Sequence, residues 1–211
     1  MLENTDKPVS KSLRIGDHAP VFRARTTQGD ISLDQYQGRW LVFFSHPADF
    51  TPVCTSEFIA FAHAAESFNK LNCALLGLSV DSLYSHIAWV RAIHEAFGTT
   101  IPFPVVEDPS MVVAQAYGMI DSTSQDSSAV RATYVIDPEG IIRAISWYPM
   151  NVGRSVAEIL RVLAALQQTA ANEALTPEGW QPGDEFLAPP AQAALAADSP
   201  PTWFCQTRNV T

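Results

Sequence analysis

Cys54 is the residue on which chemistry could turn, and its neighbours bear on whether it does. It stands in His46-Pro47-Ala48-Asp49-Phe50-Thr51-Pro52-Val53-Cys54-Thr55-Ser56-Glu57, just after an unbroken apolar run from Trp40 to Phe44. Beyond it, Phe58, Phe61, Ala65, Phe68 and Leu71 recur at three, four, three and three residues. The run is short enough for a buried strand, and the recurrence is that of one helical face. Thr51 is then placed as N-cap and Pro52 as the first helical residue, where the missing N–H would have had no partner anyway. Cys54 falls in the first turn, where unpaired backbone N–H groups and the positive end of the helix dipole favour S⁻ over SH. The plainer alternative is that a lone cysteine simply packs, as buried cysteines usually do. Against it stand the Thr51 hydroxyl one turn before the sulfur, two prolines stiffening the loop, and the lack of a CxxC partner.

The elements that must hold this loop follow from pattern. Val21 to Thr26 and Ile31 to Leu33, joined across Gly29, read as a hairpin. The strand ending near His46 leads into the Cys54 helix, and Cys73 to Val80 is another buried strand. Strand, helix, strand implies a parallel pair whose sites gather at the carboxyl edge. Ser85 to Phe97 carries Ile87, Val90, Ile93 and Phe97 on one face and stops at Gly98. Pro104 to Val106 reads as a third parallel strand, Ser110 to Tyr117 as a short helix, and Asp121 to Ser128 as a surface loop. Ala129 to Ile136 and Ile141 to Trp147 flank the turn Asp137-Pro138-Glu139-Gly140 as an antiparallel hairpin, and Val156 to Leu166 is a closing helix. This order is that of a thioredoxin-like α/β domain, with a mixed central sheet between helices, over residues 13–170. Residues 171–211 form an arm whose prolines forbid a long helix, with a brief one allowed over Ala191 to Ala197. The arm carries Trp180, Phe186, Trp203 and Phe204, and such aromatics call for a surface, for which a partner subunit is favoured.

A chain of 211 residues, 47% hydrophobic, can bury one full core. No apolar run approaches the ~18 residues of a membrane span, and the start Met-Leu-Glu-Asn-Thr-Asp-Lys lacks a signal peptide's apolar region, so the expectation is cytoplasmic. A formal charge of −9 repels nucleic acid and anionic lipid, leaving small molecules or proteins as partners. Cysteines at 54, 73 and 205 make neither a disulfide framework nor a zinc pattern.

Pro47, Thr51 and Cys54, spaced as Pro-x-x-x-Thr-x-x-Cys, resemble the active-site signature of the peroxiredoxins, and the string His46 to Glu57 resembles their 1-Cys, type-six subgroup in particular. The resemblance is dense over about residues 14–180 and looser beyond. It implies the thioredoxin fold and a thiol-dependent peroxidase acting on hydrogen peroxide and organic hydroperoxides without a cofactor or metal. Charge builds on the departing oxygen when S⁻ attacks a peroxide, so fixed donors must face it: the Thr51 hydroxyl, first-turn amides and one guanidinium. By pattern Arg131 reads equally as a sheet-edge charge. By resemblance it is the arginine that holds thiolate and peroxide. Glu57 matches the family's glutamate, and Arg154, in the type-six-like segment Tyr148 to Arg154, is its expected bidentate partner; an ordinary surface ion pair is the alternative. His46 could hydrogen-bond near Cys54 or be structural, and no ligand partner for it is visible at metal-site spacing.

The implied cycle takes Cys54 to a sulfenic acid, which an external thiol (thioredoxin, glutaredoxin or glutathione, or similar) must reduce. Cys73, inside a strand, reads as core. Cys205, in Trp203-Phe204-Cys205, resembles the C-terminal cysteine of bacterial and archaeal type-six members, and the resemblance leaves open its resolving Cys54 across a homodimer and the assembly of such dimers into a decameric ring. The phospholipase activity credited to some vertebrate members uses a serine before the strand; here Gly38-Arg39-Trp40 offers no hydroxyl. Two other classes remain: a thioredoxin-type disulfide reductase, which needs the absent CxxC, and a non-catalytic holdase.

Overall fold

The computed structural model describes residues 12–120, 129–172, 174–189 and 201–208. The polar start, the expected loop at Asp121 to Ser128 and the expected brief helix at Ala191 to Ala197 lie outside these. The chain divides into two compact units, Met1–Arg154 and Ser155–Thr211.

In the first unit, seven strands among the described residues form one mixed sheet in the order β2-β1-β5-β4-β3-β6-β7. β1 (Arg23–Thr26) and β2 (Gly29–Ser32) form the expected hairpin with a tighter turn than expected, Gly29 and Asp30 pairing within β2 and Leu33 passing into a 3-10 turn, and β1 joins the sheet antiparallel to β5 (Val105–Glu107) through Thr26 and Val106. β3 (Trp40–Ser45), α1 (Pro52–Lys70) and β4 (Cys73–Ser79) make the crossover. β3 and β4 run parallel from Trp40 opposite Cys73 to Ser45 opposite Leu78. β5 extends the parallel set, while β6 (Arg131–Ile136) and β7 (Ile142–Tyr148) return antiparallel. Every residue of β3, β4 and β6 is buried, as their near-continuous apolar runs require of strands covered on both faces.

Alternation along β3 divides the core. Leu41 and Phe43 join Leu76, Leu78, Tyr117 and Tyr134 in the larger cluster. Phe44, on the other face, meets Phe61 at 4.2 Å, Phe58 at 5.7 Å and Phe103 at 5.7 Å. Burying side chains of this size contributes roughly 1.5–3 kcal/mol each, so α1 is pinned to the sheet by its expected face. Gly77 lets it come close: a Cβ there would stand 3.3 Å from the Phe58 ring.

Two helices differ from the pattern reading. α2 (Leu83–Phe97) begins two residues before the expected Ser85, capped by the Ser82 side chain, and keeps its Gly98 stop, but buries His86, Trp89 and Ile93, leaving Ile87 45% and Phe97 61% exposed. The stripe is rotated toward His86, which meets the Asp49 carboxylate. α3 is Val112–Ala116, shorter than the expected Ser110 to Tyr117. Met111 takes φ 60°, and the Asp108 carboxylate accepts from the Ala114 N–H at 2.7 Å, so the first turn is displaced by a side chain competing for its amide.

The second unit holds α4 (Val156–Ala171) and a short ribbon, β8 (Phe186–Leu187) with β9 (Thr207–Arg208). Arg161 of α4 donates to the Trp180 carbonyl at 3.2 Å, and Trp180 Nε1–H donates to the Asp184 carbonyl. Trp180, 2% exposed, packs on Phe186 at 5.4 Å. Two of the aromatics that called for a surface therefore find each other within the unit, while Phe204 stays 64% exposed.

Candidate active site

The β3–α1 junction delivers Cys54 as the pattern requires. Thr51 occupies the N-cap with extended backbone (φ −96°, ψ 147°) and Pro52 follows as first helical residue. The Thr51 side chain does not cap. Its hydroxyl donates to the Ala48 carbonyl at 2.8 Å, closing the loop on itself, while the Thr51 carbonyl accepts from the Thr55 N–H at 2.9 Å and the Thr55 hydroxyl at 2.8 Å. Its proton spoken for, the Thr51 oxygen offers a ligand lone pairs rather than the O–H expected of it.

Cys54 is fully buried. Arg131, the first residue of β6, is 2% exposed and donates from Nη1 to Cys54 Sγ at 3.3 Å and to Glu57 Oε2 at 2.8 Å. Its Nε and Nη2 both donate to the Met150 carbonyl, at 2.9 and 2.7 Å, which fixes the plane of the guanidinium. Glu57 lies one turn beyond Cys54 and is grasped from the other side by Arg154: Nε to Oε1 at 2.9 Å, Nη2 to Oε2 at 2.7 Å, and the Arg154 backbone N–H to Oε1 at 2.8 Å. Arg154 Nη1 donates to the Ala132 carbonyl and its guanidinium carbon stands 5.2 Å from the Phe44 ring centre. Burial would push the Glu57 carboxyl up, but the Arg154 hydrogen bonds and charge, with Arg131 behind them, hold it below the usual carboxylate range. This is a buried network, not a surface ion pair. Two guanidiniums against one carboxylate leave one positive charge facing the sulfur in a dry site.

His46, fully buried at the end of β3, is not alone. Its Nε2–H donates to Asp49 Oδ1 at 2.9 Å, and His86 Nδ1–H of α2 donates to Asp49 Oδ2 at 2.8 Å and Oδ1 at 3.0 Å. The donor atoms of His46, Asp49 and His86 lie within 4.8 Å of one another, the reach of a metal ion, so partners do exist where none was visible in the sequence. Yet each carboxylate contact is a hydrogen bond to an imidazole N–H, and His86 Nε2 is turned away to the Val106 carbonyl at 3.1 Å; the group is closed as a hydrogen-bond network. Burial of Asp49 works against its charge, and the His46 and His86 bonds outweigh that, holding its carboxyl far below the usual range. Burial drives His46 down, with Asp49 only partly opposing.

Residues 15–145 match the AhpC/TSA family, and residues 165–197 match the C-terminal domain of 1-Cys peroxiredoxin. A peroxiredoxin of Methanosarcina mazei is 50% identical over 189 residues, 86% of each chain. The chain belongs to the peroxiredoxin family. Among solved structures it resembles a yeast mitochondrial 1-Cys peroxiredoxin, studied for thiol resolution via the glutathione/thioredoxin systems, at TM-score 0.80 and 44% identity over 84% of this chain and 87% of that one. Peroxiredoxin 6 of Arenicola marina matches at TM-score 0.80 and 32% identity, over 87% and 88% of the two chains. Peroxiredoxins are thiol-dependent peroxidases, and this chain is one.

Within this peroxiredoxin the structure brings Cys54, Glu57, Arg131 and Arg154 into one buried cluster, with Thr51 at the head of the same helix. Pro47 lies between His46 and Ala48 in the loop that the Thr51 hydroxyl closes. Cys73 is buried at the start of β4, as expected of core, whereas Cys205 is exposed. Asp49 and His86 were missed. Asp49 sits inside the recognised string, three residues after His46, but His86 lies 37 residues further on, and no local spacing links them. The only signal was a histidine at position i beside Trp89 at i+3 and Ile93 at i+7 of an amphipathic helix.

Proposed function

We propose that Cys54 is the thiolate that reduces hydrogen peroxide and organic hydroperoxides, with Arg131, Thr51, Pro47, Glu57 and Arg154 as its machinery. The observation that carries this is the 3.3 Å contact from Arg131 Nη1 to Cys54 Sγ inside a cluster one negative charge short of neutral; a sulfur anion completes the balance. The sulfur attacks the terminal peroxide oxygen, an S–O bond forms and the O–O bond breaks. Cys54 is oxidised to sulfenic acid and the hydroperoxide is reduced to alcohol or water, the departing oxyanion taking up a proton. Arg131 serves nucleophile and reacting oxygens together, because one of its N–H groups already touches sulfur. Thr51, its proton given to Ala48, accepts from the incoming O–H. Glu57 and Arg154 hold Arg131 in place. Pro47 stiffens the loop.

An external thiol then condenses with the sulfenic acid, releasing water and forming a mixed disulfide, and a second thiol reduces that disulfide. Thioredoxin and the glutathione/glutaredoxin system are the candidates, the yeast neighbour's association with both supporting the choice. We place the enzyme in the cytoplasm as a homodimer, with residues 171–211 as a dimerisation arm and further assembly into a ring open to it. Cys205 is exposed and able to meet another sulfur. After one equivalent of peroxide, non-reducing gels should show a disulfide-linked dimer that Cys205→Ser lacks; the same dimer in that variant would end its resolving role. The enzymatic reading is tested by single-turnover peroxide consumption: one peroxide per chain, lost in Cys54→Ser. Consumption that survives this substitution would overturn it.

A further inference from the structure

We propose that His86 is a positioning residue of this site: as an imidazolium it clamps the Asp49 carboxylate, and through Asp49 it sets the tautomer of His46 and holds the turn that leads into Thr51. The inference rests on the reading of Cys54 as the reacting thiol, since it assigns a task to residues supporting the loop that carries it.

Each ring nitrogen of His86 faces an acceptor. His86 Nδ1 faces the Asp49 carboxylate at 2.8 and 3.0 Å, and His86 Nε2 faces the Val106 carbonyl at 3.1 Å. An ionised carboxylate and a peptide carbonyl can only accept, so both ring nitrogens must carry protons. Asp49 is ionised because two imidazoles donate to it where it is buried. The groups that bear on His86 are thus Asp49 from the loop, the Val106 carbonyl from β5, and His46 from the end of β3, whose ring centre is 6.0 Å away. Asp81, at the end of β4, adds its charge on His46. The pair Asp49⁻ and His86⁺ is internally neutral, which is how two such groups tolerate full burial.

Two consequences follow for the loop. With Asp49 accepting at His46 Nε2, the His46 proton is fixed there, and Nδ1, fully buried and without a hydrogen-bond partner among the described residues, is left as a bare acceptor. His46 is therefore a neutral imidazole of one tautomer, stacked edge-on to Phe58 of α1 at 4.8 Å. Second, Asp49 is tied at both ends: its carboxylate to α2, and its backbone N–H to Asp81 Oδ2 at 2.9 Å, an oxygen that also accepts from the Ser79 hydroxyl. The next residue, Phe50, takes φ 57° with its side chain 59% exposed. A left-handed phenylalanine is strained and persists only where its flanks are held. Asp49 on one side and the Thr51–Ala48 bond on the other are those holds, and the geometry so enforced hands Thr51 to the head of α1.

The test reads protons before it reads rates. In wild-type protein with ¹⁵N-labelled histidine, long-range ¹H–¹⁵N correlation near neutral pH should show His86 protonated on both nitrogens and His46 on Nε2 alone. A bare nitrogen on His86, or a proton on His46 Nδ1, overturns the inference without any variant needing to fold. In His86→Leu, His46 should show mixed tautomers and sulfenic acid formation should slow about tenfold or more, in line with small misplacements in active sites. His86→Asn, which keeps a donor toward Asp49, should recover part of that loss. A folded His86→Leu with wild-type rate and an unchanged His46 tautomer also overturns it. Failure here leaves the assignment of Cys54 standing, because that assignment is decided separately by Cys54→Ser.

Discussion

Cys54 and Cys73 are buried alike, 0% and 1% exposed, in the same unit, yet they sit in opposite settings. Cys73 opens β4 at the amino end of the parallel strands, its S–H donating to the Ala74 carbonyl. Burial pushes that thiol up to about 12, with a backbone hydrogen bond and the Arg39 charge only partly offsetting it. Cys54 lies past the carboxyl end of β3, in the first turn of a helix, accepting from a guanidinium. The lesson is that burial does not decide what a cysteine does. Burial without a cation in contact keeps a thiol protonated and inert, whereas burial against a guanidinium that donates to the sulfur, at the head of a helix, suits an anion.

The largest effect that can break this contrast is at the sulfurs. After one equivalent of hydrogen peroxide, mass spectrometry should place the oxidation on Cys54 and leave Cys73 unmodified. Oxidation shared between them would show that the electrostatic difference is not what selects. Next comes the cation. Arg131→Ala removes the donor to sulfur, and loss of one such preorganised donor costs about 10²–10³ in rate. Stopped-flow measurement of sulfenic acid formation should find that loss, and a variant within a factor of about two of wild type would separate the arginine from the chemistry.

How much of this was readable beforehand depends on whether the signal was local. Thr51-Pro52 marks the helix start within a few residues, so the position of Cys54 in its first turn was legible, as were the order of strands and both hairpins. The pairing of Glu57 with Arg154 spans 97 residues and came from the resemblance rather than from spacing. That Arg131 also reaches Glu57 was not visible, nor that the whole cluster is buried, since charge in a sequence reads as surface. The Thr51 proton went to Ala48 because a three-residue side-chain loop competes with capping. Periodicity misjudged α2 because it counts apolar residues, and the helix turned His86 inward to meet a carboxylate 37 residues upstream.

Glu57 sharpens the comparison by removing the negative half of the cluster. Glu57→Gln leaves two buried guanidiniums facing each other and should destabilise the fold by about 3–5 kcal/mol, the usual outcome of breaking one side of a buried pair. The sign of the pH dependence follows from the directions of the shifts. Glu57 and Asp49 are held below their unfolded values, so their stabilisation is present above the ordinary carboxylate range and fades as pH falls through their folded values. Urea midpoints should therefore decrease on acidification through the carboxylate range, and Glu57→Gln should flatten that decline. An unaltered decline would mean that Glu57 is not ionised in the fold.

The smallest effect is expected at the other cysteine. In Cys73→Ser the hydroxyl can take over the bond to the Ala74 carbonyl that the thiol now donates, so no buried donor is left without a partner. What is lost is the better packing of sulfur in an apolar strand, of order 1 kcal/mol. Peroxide turnover should match wild type, with only the urea midpoint shifted. The substitution is informative because it is small: a drop in turnover would mean that the amino-end cysteine communicates with the carboxyl-end site through β3 and β4. Their register, with Trp40 opposite Cys73 and Ser45 opposite Leu78, places the two sulfurs at opposite ends of the same strand pair. A rigid pair of buried strands gives such a small change no two-state element to act on.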